Sequence, residues 1–217
     1  MTTVTRRVLA LVLGGVLALS GCGSPDDETV PRPVATTTLP PQVPEQLVDL
    51  PVGAGDVDPG HRVHLEDGAL LVDGRRLQLA PLRADEIAVV PGGVFFRNGG
   101  ELWFTDLHRA QPTGYDDVRS LVASPDGRRV AFVDLQHGPT DRHGTPLAIA
   151  IAYDASTGRP LAASYAGMGD VRTDDLAALY ADRPPAITGF SGDDLLVRGA
   201  TGDERVPLDG KSPTTVG

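Results

Sequence analysis

Short apolar runs separated by turn residues dominate the chain after residue 50. The runs are rich in Val, Ile, Leu, Phe and Tyr, and pairs such as Asp73-Gly74 and Asp126-Gly127 bound them. Short apolar runs between turn dipeptides are typical of antiparallel strands. The pattern predicts strands over residues 69–72, 76–79, 87–90, 94–96, 102–105, 119–123, 129–133, 147–153 and 195–198.

One segment departs from this pattern and predicts a helix. Thr173 is the expected N-cap, and the acidic pair that follows it suits a first helical turn. Leu176, Leu179 and Tyr180 then fall on one face. Pro184 is incompatible with a helix interior, so the helix should end just before it.

The N-terminal region carries a different apolar run. Arg6 and Arg7 precede twelve mostly apolar residues, 8–19. A helix of that length spans about 18 Å, well short of a hydrocarbon core of about 30 Å. The run therefore predicts the apolar region of a secretory signal peptide and not a membrane span.

A short motif follows this run. Leu19-Ser20-Gly21-Cys22 resembles the lipobox of bacterial lipoproteins, and Cys22 is the only cysteine of the chain. The resemblance implies a signal peptide over residues 1–21, cleavage before Cys22 and a diacylglyceryl group on its thiol. It places the protein on the extracytoplasmic face of the cell membrane. A single cysteine also excludes an intramolecular disulfide.

Residues 22–49 read as a tether that begins at the lipidated cysteine. Six prolines are interleaved with threonines and acidic residues, and little is apolar. Such a composition predicts an extended, disordered segment. This composition is compatible with a spacer that lifts the domain from the membrane. It is equally compatible with a connecting segment that has no selected function. Residues 212–217 are expected to form a disordered tail.

Residues 122–132 form the clearest repeated unit. Their Ser124-Pro125-Asp126-Gly127 turn resembles the hairpin of TolB-type and WD40-like β-propellers, where the next strand returns with an apolar-x-aromatic pattern. Weaker copies occupy residues 89–96 and 187–197. Residues 154–161 similarly resemble the Asp-x-x-Thr-Gly turn between outer propeller strands. In this hairpin we expect Val130 and Phe132 to face the core, and Arg129 and Ala131 to face away.

The resemblance implies an all-β domain of antiparallel, propeller-like blades over residues 50–211. A blade takes about 40 residues and rings hold about four to eight blades, so there is room for about four. The chain could be a small ring, an open arc that is an incomplete propeller, or a truncated relative of a longer protein. A β-sandwich built from the same hairpins is the structural alternative.

Charge and composition restrict the partners. The net charge of −10 becomes −12 when the signal segment, with Arg6 and Arg7, is removed. Nucleic acid is excluded as a partner because phosphate binding needs a positive surface. Anionic lipid would repel the domain, so the acyl chains must provide the anchor. With Lys211 as the only lysine, the composition resembles that of an actinobacterial protein.

Few residue patterns in the chain indicate a catalytic or metal-binding function. No nucleophile elbow, P-loop, dinucleotide fingerprint or zinc-protease motif is present, so the chain is not expected to be an enzyme or to carry a cofactor. His137, Asp141 and His143 share one polar loop and are the right ligand types for Zn²⁺. The alternative is a plain insertion between strands, without metal.

Two aromatic pairs could form the floor of a binding groove. Phe95-Phe96 and Trp103-Phe104 each place two rings on adjacent strand positions, which point to opposite faces. The competing interpretation is that one ring of each pair lies in the core and the other covers a neighbouring blade.

Two functional classes follow from these observations. The first is a binding or scaffold module of the cell envelope with a protein or envelope partner, and the alternative is a hydrolase or glycan-acting enzyme on a propeller frame. About four blades would leave open edges, which invite pairing. We therefore expect self-association, or a separate partner, at an early blade near residues 78–90.

Overall fold

The sheets of this domain are built from strands that follow one another in the chain. The computed structural model describes residues 47–216 except 59, 78 and 80. These residues contain fifteen strands and one helix, and the strands form four antiparallel sheets. The all-β class expected from the sequence is confirmed.

Nine of the fifteen described strands lie at the apolar runs predicted from the sequence, and the other six, which include the polar segments Ala110–Pro112 and Thr214–Thr215, do not. The first sheet contains β1 (Val63–Glu66), β2 (Ala69–Val72) and β3 (Arg75–Leu77). The second contains β4 (Glu86–Val90), β5 (Gly93–Asn98), β6 (Glu101–Thr105) and β7 (Ala110–Pro112). The third contains β8 (Val118–Ala123), β9 (Arg129–Asp134), β10 (Ile149–Asp154) and β11 (Pro160–Ser164). The fourth contains β12 (Ala186–Ser191), β13 (Asp194–Arg198), β14 (Asp203–Pro207) and β15 (Thr214–Thr215).

Neighbouring sheets pack in chain order. The first strand of the third sheet, β8, lies between β4 and β12, the first strands of the sheets on either side. Strand β1 contacts β4 in turn. Within the described residues β12 shows no comparable packing against β1. The first and fourth sheets therefore stand at the two ends of the stack.

The two middle sheets are buried on both faces. In the second sheet, Phe95 and Phe104 pack with ring centroids 4.8 Å apart in the larger core, shared with the third sheet. Phe96 and Trp103 stack at 6.4 Å in a smaller core, shared with the first sheet. Each adjacent pair thus divides its rings between two cores, as the second interpretation of the aromatic pairs expected.

The two end sheets present a charged face to solvent. On the first sheet Arg76 lies 3.8 Å from Glu66, and on the fourth Arg205 lies 3.7 Å from Asp194. The opposite faces are apolar and covered by their neighbours. This alternation is typical of antiparallel sheets with one solvated face, and it ends the stack without exposing a core.

The hairpin between β8 and β9 has the tight turn expected from its sequence. Gly127 N–H donates to Ser124 O at 2.8 Å, and the Asp126 carboxylate accepts from the Ser124 hydroxyl. Gly127 has φ +68°, a left-handed conformation that favours glycine. Phe132 is fully buried, but so is Ala131, which was expected to face away. Ala131 is covered because it shares the face of Arg129, whose guanidinium contacts Gly192 and Asp193 of the fourth sheet.

The helix α1 (Leu176–Asp182) belongs to the segment that connects the third sheet to the fourth, and it begins later than the sequence suggests. Asp175, not Thr173, is the N-cap, and its carboxylate accepts from Ala178 N–H at 3.1 Å. Leu176 and Tyr180 are buried, and Leu179, which was predicted to share their face, is partly buried against the same core. The start is displaced because Asp175 can reach the free N–H groups of the first turn in this position.

The first described residues form a strap across the turns of two sheets. Leu50 N–H donates to Gly158 O in the third sheet at 2.7 Å. Gly92 in the second sheet donates to Val57 O at 2.9 Å and accepts from Gly55 at 3.2 Å.

At the other end of the chain, the pairing of β15 with β14 brings part of the expected tail, residues 212–217, into the fourth sheet.

Candidate functional site

Two insertions interrupt the regular hairpins, and both leave the same end of the third sheet. Residues 135–148 connect β9 to β10, and residues 165–185, which contain α1, connect β11 to β12. In an antiparallel meander, alternate connections lie at the same end. In repeat folds, insertions collect on one face, which is often the binding face. We call these two segments together the insertion surface.

A buried carboxylate fixes the two insertions to each other. Asp141 accepts from His143 N–H at 2.8 Å and Thr145 N–H at 2.9 Å within the first insertion. Its other oxygen accepts from Leu176 N–H, the first residue of α1, at 3.0 Å. Burial opposes ionisation of Asp141, but these N–H donors outweigh it and hold its pKa below the ordinary value. Tyr180 adds a second link because its hydroxyl accepts from Ala148 N–H at 2.9 Å.

A carboxylate–imidazole pair lies at the base of the first insertion. Asp134, the last residue of β9, is fully buried, and its Oδ2 lies 2.9 Å from His137 Nδ1. Burial raises the pKa of Asp134, while the Gln136 N–H and the imidazole act in the opposite direction. The His137 side chain is 42% exposed, so its second nitrogen can meet solvent or a ligand. None of the described residues hydrogen-bonds to that nitrogen.

Tyrosines connect this pair to the strap. The Tyr115 ring meets His137 edge-on at 5.5 Å, and its hydroxyl pairs with that of Tyr153. Tyr153 then donates to Val48 O at 3.0 Å. Burial raises the pKa of both tyrosines, so both remain neutral donors at physiological pH. The network runs from the insertion surface to the strap through the core.

A cavity of about 450 Å³ opens beside the insertions, between the start of β8 and α1. Leu135 and Tyr180 contribute apolar walls, and Asp117 and Arg119 contribute charges of opposite sign. This volume is within the range of small-ligand sites, about 300–1,000 Å³. The cavity therefore adds a concave element to the insertion surface.

The three candidate metal ligands have separate partners. His137 pairs with Asp134, and Asp141 binds backbone N–H groups. The His143 ring accepts from Arg142 Nε at 3.0 Å and lies 4.0 Å from Asp175. Among the described residues no group of three or more His, Cys, Asp or Glu side chains is arranged to hold a metal ion.

Comparison with protein-family models and with curated proteins found no match to this chain. Its function is therefore inferred from its own residues.

The lipobox, Leu19 to Cys22, lies outside the described residues, as does most of the expected tether. In the part of the chain that is described, no helix is long and apolar enough to cross a membrane.

Sequence reasoning missed Asp134 as a member of the site. A weak signal was available, since an aspartate closes the apolar β9 run and a histidine follows three positions later. Tyr115 and Tyr153 are 38 residues apart, and no local pattern connects them.

Proposed function

We propose that the chain is a membrane-anchored, extracytoplasmic lipoprotein that acts as a binding or scaffold module of the cell envelope. The Leu19-Ser20-Gly21-Cys22 motif supports lipid attachment at Cys22. The insertion surface supports binding: two insertions locked together by Asp141 form a rigid, exposed surface beside a cavity. Binding residues are commonly carried on loops that a rigid scaffold positions.

A propeller-like arc is the frame we propose for this module. Four consecutive antiparallel sheets, with β4, β8 and β12 side by side, support it, since propeller blades meet through their first strands around an axis. The Ser124 to Gly127 turn, which resembles the hairpin turn of TolB-type propellers, also supports a propeller-like frame. The charged outer faces of the end sheets favour an open arc over a closed ring.

A cross-linking experiment tests the binding function. A photoreactive residue at Arg142, exposed on the insertion surface, should give an adduct of discrete mass in intact cells. Excess purified domain should compete it away. The matched control is Arg159, exposed at the opposite end of the same sheet, which should give none. Equal labelling at both positions, or none at either, would contradict the proposal.

The Asp134–His137 pair supports one alternative, a hydrolase. A buried carboxylate that orients an imidazole is the arrangement of a general base. No described hydroxyl is hydrogen-bonded to His137, so water would have to be the nucleophile. Hydrolysis of chromogenic esters or glycosides that is lost in His137→Gln, but kept in His143→Gln, would favour this alternative. No hydrolysis by the wild-type protein would exclude it for those substrates.

A second copy of the chain is a further candidate partner, at the first sheet. That sheet has three strands where the others have four, and β1 and β3 form its edges. Light scattering over a wide concentration range tests this idea. A mass that rises with concentration supports self-association, and a persistent monomer contradicts it.

A further inference from the structure

A groove separates the outer strands of the first and second sheets, away from the insertion surface. It consists of two adjoining cavities, of about 360 Å³ and about 550 Å³, that share Leu77, Leu107 and His108. The smaller cavity is lined mainly by apolar side chains, which include Leu77, Leu79, Leu82, Trp103, Leu107 and Ala110. We call the two cavities together the Trp103 groove.

Basic side chains lie along the edge of this apolar floor. The smaller cavity is lined by Arg109 and His108 and by no carboxylate. In the larger one, Arg75 and His61 occur with Asp56 and Asp73, among other residues. No described carboxylate lies within ion-pair distance of Arg75 or Arg109. The chain as a whole has a net charge of −10. Basic side chains without an ion-pair partner, next to an apolar floor, therefore indicate a binding site for an anionic group.

His61 carries a polar atom that lacks a partner. Its Nδ1 is buried and has no hydrogen-bond partner among the described residues. The nearest carboxylate oxygen, on Asp73, is 3.9 Å away, which is too long for a hydrogen bond. Buried polar atoms are normally satisfied, so an unsatisfied one beside a cavity indicates a missing partner.

Leu107 is held in an unusual conformation between the two cavities. Its φ is +72°, in the left-handed region that leucine rarely adopts. The Thr105 hydroxyl accepts from Leu107 N–H at 3.1 Å, and Asp106 accepts from His108 and Arg109 N–H at 2.9 and 3.0 Å. The turn therefore fixes one apolar and two basic side chains where the two cavities adjoin.

We propose that the Trp103 groove binds a single-chain anionic amphiphile, such as a fatty acid. The acyl chain lies on the apolar floor, and the carboxylate meets Arg109 and His108. Leucines and an indole provide the apolar area, and the Arg109 guanidinium, for which no ion pair is described, provides the charge complementarity. The neighbouring Asp106 carboxylate is bound to the N–H groups of His108 and Arg109. Glu101, the carboxylate nearest the indole, already accepts from Trp103 Nε1 at 2.9 Å.

Trp103 is the only tryptophan of the chain, so its fluorescence reports on this groove alone. The mature chain, residues 22–217 with Cys22→Ser, is titrated with dodecanoate below its micelle concentration. We expect a saturable change of emission. Octanoate should bind more weakly, by about three- to fourfold for each CH₂ removed. Dodecyltrimethylammonium, with the same chain and a cationic head, should bind at least about tenfold more weakly.

Variants assign the head-group site. Arg109→Ala should weaken dodecanoate binding at least about fivefold. The matched control is Arg128→Ala, which removes another exposed arginine, from the turn between β8 and β9 of the third sheet. Circular dichroism verifies that both variants are folded.

Three results would overturn the proposal. These are no saturable change with dodecanoate, equal affinity for the anionic and cationic heads, and an equal effect of Arg109→Ala and Arg128→Ala. Emission that responds to phosphatidylglycerol vesicles but not to monomeric dodecanoate would also overturn it, because it would assign the groove to a membrane surface. The cross-linking experiment at Arg142 is independent of all these outcomes.

Discussion

The carboxylate of Asp134 and the imidazole of His137 lie 2.9 Å apart, one fully buried and the other half-exposed. The pair joins the end of the core strand β9 to the first of the two segments that form the insertion surface. Because the carboxylate is removed from water, its protonation is linked to folding.

Replacement of Asp134 by Asn should change the pH dependence of stability. Burial raises the pKa of Asp134, so its favourable contribution is complete below about pH 4, its unfolded pKa, and is lost as the pH rises through the folded pKa. The free energy of unfolding of the wild type minus that of Asp134→Asn should therefore fall as the pH rises above about 4. Denaturant unfolding at a series of pH values measures it.

The control for this prediction is Asp154→Asn. The Ser156 hydroxyl lowers the pKa of Asp154, so its contribution is present above about pH 4 and is lost on acidification. The wild-type-minus-variant difference should rise with pH. If the two differences change in the same direction with pH, then the opposite pKa shifts that we assign to Asp134 and Asp154 are wrong.

All four tyrosines of the chain should resist ionisation in the folded protein. Burial raises the pKa of Tyr115, Tyr153, Tyr165 and Tyr180 above the ordinary value of 10.0. Their contribution to stability is present below about pH 10 and is lost above it. Phenolate absorbance should therefore appear only at the alkaline pH at which the protein unfolds. Circular dichroism, recorded over the same pH series, identifies that pH. The denatured chain, as control, should titrate near pH 10. Ionisation of the tyrosines near pH 10 while the protein is still folded would contradict the prediction.

Truncation of Phe132 should be strongly destabilising. The ring is fully buried and stacks on Tyr153 at 5.8 Å, so Phe132→Ala should cost about 3–5 kcal/mol. Leu161, 37% exposed on β11, is the control, and Leu161→Ala should cost less than about 1 kcal/mol. Because Ala131 is also buried, Ala131→Leu should cost about 1–3 kcal/mol through overpacking. Unfolding of each variant in denaturant gives these values, and a neutral Ala131→Leu would place that face in solvent.

The strap should depend on the absence of a side chain at Gly53. A Cβ there would collide with the carbonyl oxygen of Gly92. Gly53→Ala should therefore lower the free energy of unfolding by about 1–3 kcal/mol. Gly202 is the matched control, since a Cβ there would meet its nearest atom at 3.9 Å. Gly202→Ala should be neutral or slightly stabilising, and equal effects at the two sites would contradict close packing of the strap.

Lipid attachment is expected to require Cys22. Wild-type protein should enter the detergent phase and incorporate labelled fatty acid, because acylation at the only cysteine provides its apolar anchor. Cys22→Ala should remain aqueous and unlabelled, whereas Ser24→Ala should behave as wild type. Continued labelling of Cys22→Ala would place the lipid elsewhere.

The sequence by itself located nine of the fifteen described strands and the main turn. It did not predict β1, β7, β11, β12, β14 and β15, in which polar and small residues outnumber or interrupt the large apolar ones. Alternating side chains, Asp-Gly turns and the Ser124 to Gly127 hairpin are local features, and local backbone preferences act on them regardless of the rest of the chain. The helix was located but not its first residue. Asp141, 35 residues before Leu176, satisfies the first N–H of α1, and no local pattern contains that contact.

Only the tertiary structure decided which faces are buried and which residues form sites. Ala131 is buried because another sheet covers it, and β9 alone does not specify its neighbours. The Tyr115–Tyr153 pair, the Asp134–His137 pair and the Trp103 groove each depend on how segments stack. Short-range preference fixes the elements, whereas long-range packing fixes the environment of each side chain, and that environment determines its chemistry.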